Sequence, residues 1–116
     1  PAANNLAYYL ADRTENYDEA LKYARKAKEL LPENPGVMDT LGLAFYKKEL
    51  YGNAAGQFLD SLKEIPENPT VNYHLGLTYN KQGKVEQAIK FLSKALELSD
   101  SFDGARDARN LLDQLE

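Results

Sequence analysis

The stretch LGLAFYK, Leu41 to Lys47, returns as LGLTYNK at Leu75 to Lys81, with every residue displaced by 34 positions. A duplication at a fixed displacement means that two parts of the chain form the same local structure, so the period is the first thing to explain. In the first copy Met38, Leu41, Gly42 and Phe45 fall at i, i+3, i+4 and i+7, which is one face of a helix. Tyr51, Ala54, Ala55, Phe58, Leu62 and Ile65 mark a second helix that ends ahead of Pro66, because proline disfavours a helical residue before it. Two helices and a short break make one unit. Similar units are expected over residues 1–34 and 69–100, and the break PENP is itself duplicated at Pro32 to Pro35 and Pro66 to Pro69. Only the third break, SDSFDG, departs.

Gly42 and Gly76 lie on the apolar face at the same phase. Glycine within a helix costs about 1 kcal/mol relative to alanine, so its use twice implies close approach of the partner helix. The partner supplies small residues: Ala20, Ala54 and Ala88, then Ala27, Ser61 and Ala95.

These residues resemble the tetratricopeptide repeat (TPR), a helix-turn-helix unit of 34 residues with the pattern W-x2-L-G-x2-Y, A-x3-F, P. Unit two reads Met38, Leu41-Gly42, Phe45, Ala54, Phe58, Pro66, and unit three reads Asn72, Leu75-Gly76, Tyr79, Ala88, Leu92, Asp100. Unit one reads Ala3, Leu6-Ala7, Leu10, Ala20, Ala24, Pro32, with one extra residue between its helices. The resemblance implies an all-α, right-handed TPR helical solenoid forming one domain over residues 1–116, with repeats at about 1–34, 35–68 and 69–100. Phe102, Ala105, Ala108, Leu111, Leu112 and Leu115 form a stripe expected on a capping helix over about 102–115, its N-terminus capped by Ser101 or Asp100. The pairing of NNLAYYLA with the following unit is similar to bacterial members, some of them in the cell envelope. The chain opens without an initiator Met and already in helical pattern, so it reads as a segment of a longer protein or a product of cleavage, with preceding repeats expected.

Opposite the core stripe of each first helix runs a second stripe, which in the family lines a concave groove for peptides. Periodicity reads it as Asn4, Asn5, Tyr8 and Asp12 in unit one, as Asp39, Thr40, Leu43, Tyr46 and Lys47 in unit two, and as Tyr73, His74, Leu77, Asn80 and Lys81 in unit three. A purely solvated face would be mostly charged, whereas aligned tyrosines and leucines make a patch. The expected role is that of a non-catalytic scaffold holding a peptide or helix of a protein partner. In chaperone-binding members a carboxylate clamp of Lys, Asn and Arg grips a C-terminal tail. The matching positions here are Asn4, Tyr8, Thr40, Thr70 and His74, none of which supplies a fixed positive charge.

The net charge of −4 comes from 18 acids and 14 bases spread along the chain, without the basic block that tracks phosphates, so nucleic acid is not an expected partner. No apolar run approaches the roughly 20 residues that span a bilayer, which reads as a soluble piece, cytoplasmic or periplasmic, without direct membrane insertion. One histidine, no cysteine and dispersed acids leave no expected metal site, cofactor or catalytic centre. His74 is the one candidate base, with Asp39 its only candidate orienting carboxylate. The rival class is self-assembly, a weak homodimer or end-to-end oligomer. Leu50, Gly52, Gly56 and Leu59 form a candidate patch on the outer helix of unit two, and Tyr9 faces where a preceding repeat would lie.

Overall fold

Asn34 and Pro35 start a helix by simple means. The Asn34 carboxamide oxygen accepts from the Val37 N–H at 3.1 Å, and Pro35, with no N–H to leave unpaired, occupies the first turn. Asn68 and Pro69 repeat the arrangement, with the Val71 N–H at 3.0 Å. Each PENP break therefore stops one helix and caps the next. The computed structural model describes residues 1–116 and contains seven helices and no strand. They are α1 (Ala2–Arg13), α2 (Tyr17–Leu30), α3 (Pro35–Lys47), α4 (Tyr51–Glu64), α5 (Pro69–Lys81), α6 (Val85–Leu98) and α7 (Ala105–Leu115).

Three helical hairpins stack in chain order: α1 on α2, α3 on α4 and α5 on α6, with α2 against α3, α4 against α5, and α7 closing on α6. The first helices α1, α3 and α5 also touch in sequence, so they share one surface of an all-α solenoid measuring 39 × 26 × 23 Å.

The glycines mark close approach, but the group they admit differs from the small residues expected. A Cβ on Gly42 would lie 2.5 Å from Cε1 of Phe58, and one on Gly76 would lie 2.8 Å from Cγ of Leu92. Ala54, Ser61, Ala88 and Ala95 are fully buried nearby, yet a large side chain of the second helix fills each gap. Unit one divides the space differently: Ala7 stands where the others have glycine, Ala24 stands where they have Phe58 and Leu92, and both are fully buried.

The extra residue of unit one is taken up at the end of α1, which runs on to Arg13, and the three-residue turn that follows begins with Thr14 extended (φ −136, ψ 178). The other two turns use a left-handed residue, Glu49 (φ 63) and Gly83 (φ 76). The cap of α7 also differs from expectation. The helix begins at Ala105, behind Gly104 at φ 105, with no side-chain cap from Asp100 or Ser101. The Ser99 hydroxyl instead accepts from the Ser101 N–H at 3.1 Å and tightens the preceding turn. Ala105 and Ala108 are buried, and Leu111, Leu112 and Leu115 pack with Leu92 and Ala95. No helix is long and apolar enough to cross a membrane.

Candidate interaction groove

The surface shared by the first helices carries a cleft of about 410 Å³. Tyr8 and Asp12 come from α1, Leu43, Tyr46 and Lys47 from α3, and Thr70, Tyr73, His74 and Leu77 from α5. Asp103, Gly104 and Asp107, at the start of α7, close one end. Tyr8 and Asp12 take the places that Leu43 and Lys47 hold 35 positions later, the one-residue offset that the end of α1 absorbs.

Tyr73 is the best-held member of the lining. It is 9% exposed, its ring centroid lies 5.8 Å from that of His74 and 5.7 Å from that of Phe102, and Gly104 rests against it. A Cβ on Gly104 would meet Cε2 of Tyr73 at 2.5 Å, and the φ of 105 itself favours glycine. The Tyr73 hydroxyl has no partner within the chain and opens into the cleft. Burial, then Asp107, Tyr46 and Asp103, push this phenol up to about 12. Tyr8 is raised by burial and then by Asp12, Asp39 and Asp103, and Tyr46 by burial and then by Tyr51. Burial is the largest cause for all three, and nearby carboxylates add to it at Tyr8 and Tyr73.

His74 forms the floor. Its Nδ1 lies 2.8 Å from Oδ1 of Asp39, both side chains are largely buried, and the ring packs 5.4 Å from Phe58. The pair joins α5 to α3 and fixes the ring.

The remaining sequence candidates lie elsewhere. Asp39 sits beneath the cleft with His74. Thr40, expected in the groove, is buried because its hydroxyl donates back along α3 to the Gly36 carbonyl at 3.0 Å. Asn4 is half-buried, Asn5 is exposed, and Asn80 and Lys81 end α5; none of the four lines the cleft. Asp103, Gly104 and Asp107 were missed as lining residues, although the lone glycine of the SFDG break and acids at i, i+4 were visible signals.

On the outer surface Tyr9, Leu50 and Leu59 are exposed, at 55%, 43% and 40%. Leu50 precedes α4 rather than lying on it, and Gly52 and Gly56 have open space where a Cβ would stand. A second cleft, of about 480 Å³, includes Gly56, Leu59, Leu62, Asn72 and Phe91.

Tetratricopeptide repeat profiles match residues 69–102 and residues 1–34, together more than half of the chain. The chain belongs to the tetratricopeptide repeat family. A TPR repeat-containing protein of Pseudomonas aeruginosa is 35% identical over 65 residues, which are 56% of this chain and 11% of that protein. Anaphase-promoting complex subunit 6 of Arabidopsis thaliana is 34% identical over 92 residues, 75% of this chain and 17% of that one. This TPR chain thus spans a small part of the length of either relative. Among solved structures, the first TPR of Spaghetti (RPAP3), bound to the HSP90 peptide SRMEEVD, superimposes with a TM-score of 0.86 at 18% identity, covering 98% of this chain and 87% of that one. PcrH in complex with the chaperone binding region of PopD gives 0.84 at 16% identity, covering 98% and 88%. At these identities the likeness is one of TPR fold.

Proposed function

We propose that this TPR array is a non-catalytic scaffold for protein–protein contact and holds a peptide or helix of its partner in the groove of the first helices. The observation that carries the reading is Tyr73, a residue nine-tenths buried whose hydroxyl has no partner in the chain and stays accessible at a cleft whose walls include Tyr8, Leu43, Tyr46 and Leu77. A ligand group that bonds this accessible hydroxyl replaces water there, a net gain of about 0.5–1.5 kcal/mol. Apolar walls with a few convergent polar groups suit side-chain anchors of an extended or helical segment. Solved structures of similar fold include examples with an HSP90 peptide and with a region of PopD, which supports the same class of role. His74 and Asp39 are read as part of the groove floor, where their hydrogen bond holds a ring against Phe58 and Tyr73, rather than as a proton-transfer dyad.

The outer face of α4 supports a second reading, self-association. Gly52 and Gly56 have no steric reason to be glycine, and the carboxamide oxygen of Asn72, at the second cleft, is buried without a partner. Light scattering across a concentration series, on the parent and on Leu59→Glu, separates the two. A monomer throughout, with peptide capture weakened by Leu77→Ala and Tyr46→Ala, is the result expected of a groove scaffold. A dimer that Leu59→Glu dissolves would move self-association to first place.

A further inference from the structure

The chemistry of the cleft restricts its occupant further than its shape does. The carboxylates in the lining are Asp12, Asp103 and Asp107, and the one fixed cation is Lys47. Asp12 is already paired with Arg13, its Oδ2 lying 3.0 Å from Nε of the guanidinium. Asp103 and Asp107 make no ion pair with the chain and flank the start of α7, Asp103 just before Gly104 and Asp107 in the first turn of the helix. Acidic side chains alone would make an ordinary solvated surface. Here they stand beside Tyr73, a residue nine-tenths buried whose hydroxyl has no partner in the chain and stays accessible at the same cleft. His74, held at Nδ1 by Asp39, forms the floor. The lining is thus rich in acceptors, and the matching ligand is rich in donors.

We infer that the segment held in this groove is cationic: a lysine or arginine side chain of the partner enters beside the Tyr73 hydroxyl and is held by the carboxylates of Asp103 and Asp107. The inference rests on the groove reading above and names the chemistry of the partner at that site. Arginine brings five N–H donors and no acceptor, and lysine brings three, so either satisfies the carboxylates and the phenol together. The faces of Tyr8, Tyr46 and Tyr73 add favourable surroundings for a cation. No group of three or more His, Cys, Asp or Glu side chains converges to hold a metal ion, which leaves an organic cation as the complement. An acidic tail such as the SRMEEVD peptide of the structural neighbour would meet repulsion from the same wall.

The test uses a random-sequence peptide display library selected on the whole chain, followed by fluorescence anisotropy of the selected peptides. The expected peptides carry lysine or arginine, and weaken by about tenfold or more when that residue becomes Gln or when the chain carries Asp103→Asn with Asp107→Asn. Their affinity also falls as salt is raised, because the acids are exposed. Both acids are at the surface, so the double variant is expected to keep the parent melting temperature. Peptides that are acidic or neutral, or that lose affinity with Leu77→Ala yet ignore the loss of both acids, would overturn the cationic inference and leave the groove reading standing. Selected peptides indifferent to Leu77→Ala, Tyr46→Ala and the double variant alike would overturn both.

Discussion

Glu49 adopts φ 63 in the α3–α4 turn, where Gly83 adopts φ 76 at the equivalent place 34 residues later. The left-handed region crowds a Cβ against the following carbonyl oxygen and costs an L residue roughly 1–2 kcal/mol, part of which glycine returns as lost chain entropy. Glu49→Gly is therefore expected to stabilise the chain by about 0.5–1 kcal/mol, read as a higher midpoint in urea with an unchanged slope. A lower midpoint would mean that the side chain does more in the turn than its backbone strain costs. Tyr73 supports a second residue-scale prediction. Its phenol rises from an ordinary value of 10.0 to about 12, so the folded state keeps a proton that the unfolded chain gives up. The contribution is complete below pH 10, and stability falls as pH rises from there through about 12. Tyr73→Phe removes the proton, so its melting temperature should decline less steeply over that window, and the last tyrosinate absorbance step of the parent should disappear. Neither residue announced itself. Glu49 is an ordinary acid in the sequence, and the burial of Tyr73 depends on Gly104, which a helix that begins three residues after the expected start brings across it.

At the scale of the element, the helix hairpins were legible because period and punctuation agree. Apolar residues recur at helical spacing, and the two Asn-Pro pairs both end and begin helices. The interior of the hairpin was legible only in part: glycine announced close approach, but which side chain fills the gap depends on the rotation of α4 and α6, and that is set by tertiary packing. Phe58 against Gly42, Leu92 against Gly76, and Ala24 with Ala7 show one volume shared in different ways. A double-mutant cycle tests this. Phe58→Ala alone should cost about 3–5 kcal/mol through the cavity it leaves. Gly42→Ala alone should cost about 1–3 kcal/mol, because its methyl meets the Phe58 ring. Together they reproduce the alanine pair of unit one, so the combined loss should fall short of the sum by about 1 kcal/mol or more. Additive losses in denaturant melts would mean that the ring moves aside without cost and that the two positions are independent.

Across the whole molecule, the groove and the last helix are mechanically one object. Each hairpin touches only its neighbours, so the stability of a stack of this kind is carried locally and propagated through interfaces. The groove stripe on α3 and α5 was readable by periodicity at Leu43, Tyr46, Lys47, Tyr73 and Leu77, whereas its end wall was not. Asp103, Gly104 and Asp107 belong to none of the stripes that periodicity marks, and only the docking of α7 brings them to α5. If the acid wall holds the ligand, loosening the cap weakens binding without touching any lining residue. Ala108 is fully buried between α7 and the rest of the stack, and Ala108→Asp places an unpaired charge there at a cost of about 3 kcal/mol or more to the docking of α7. Hydrogen exchange should then show the amides of α7 and the end of α6 losing protection while those of α1 to α4 keep it, with affinity for a cationic peptide falling in parallel. Equal loss of protection from α1 to α7 would mean that the stack opens as one cooperative unit. Loss confined to α7 with unchanged affinity would mean that the wall formed by Asp103, Gly104 and Asp107 contributes nothing to the ligand, and the groove would then bind through its tyrosines and leucines alone.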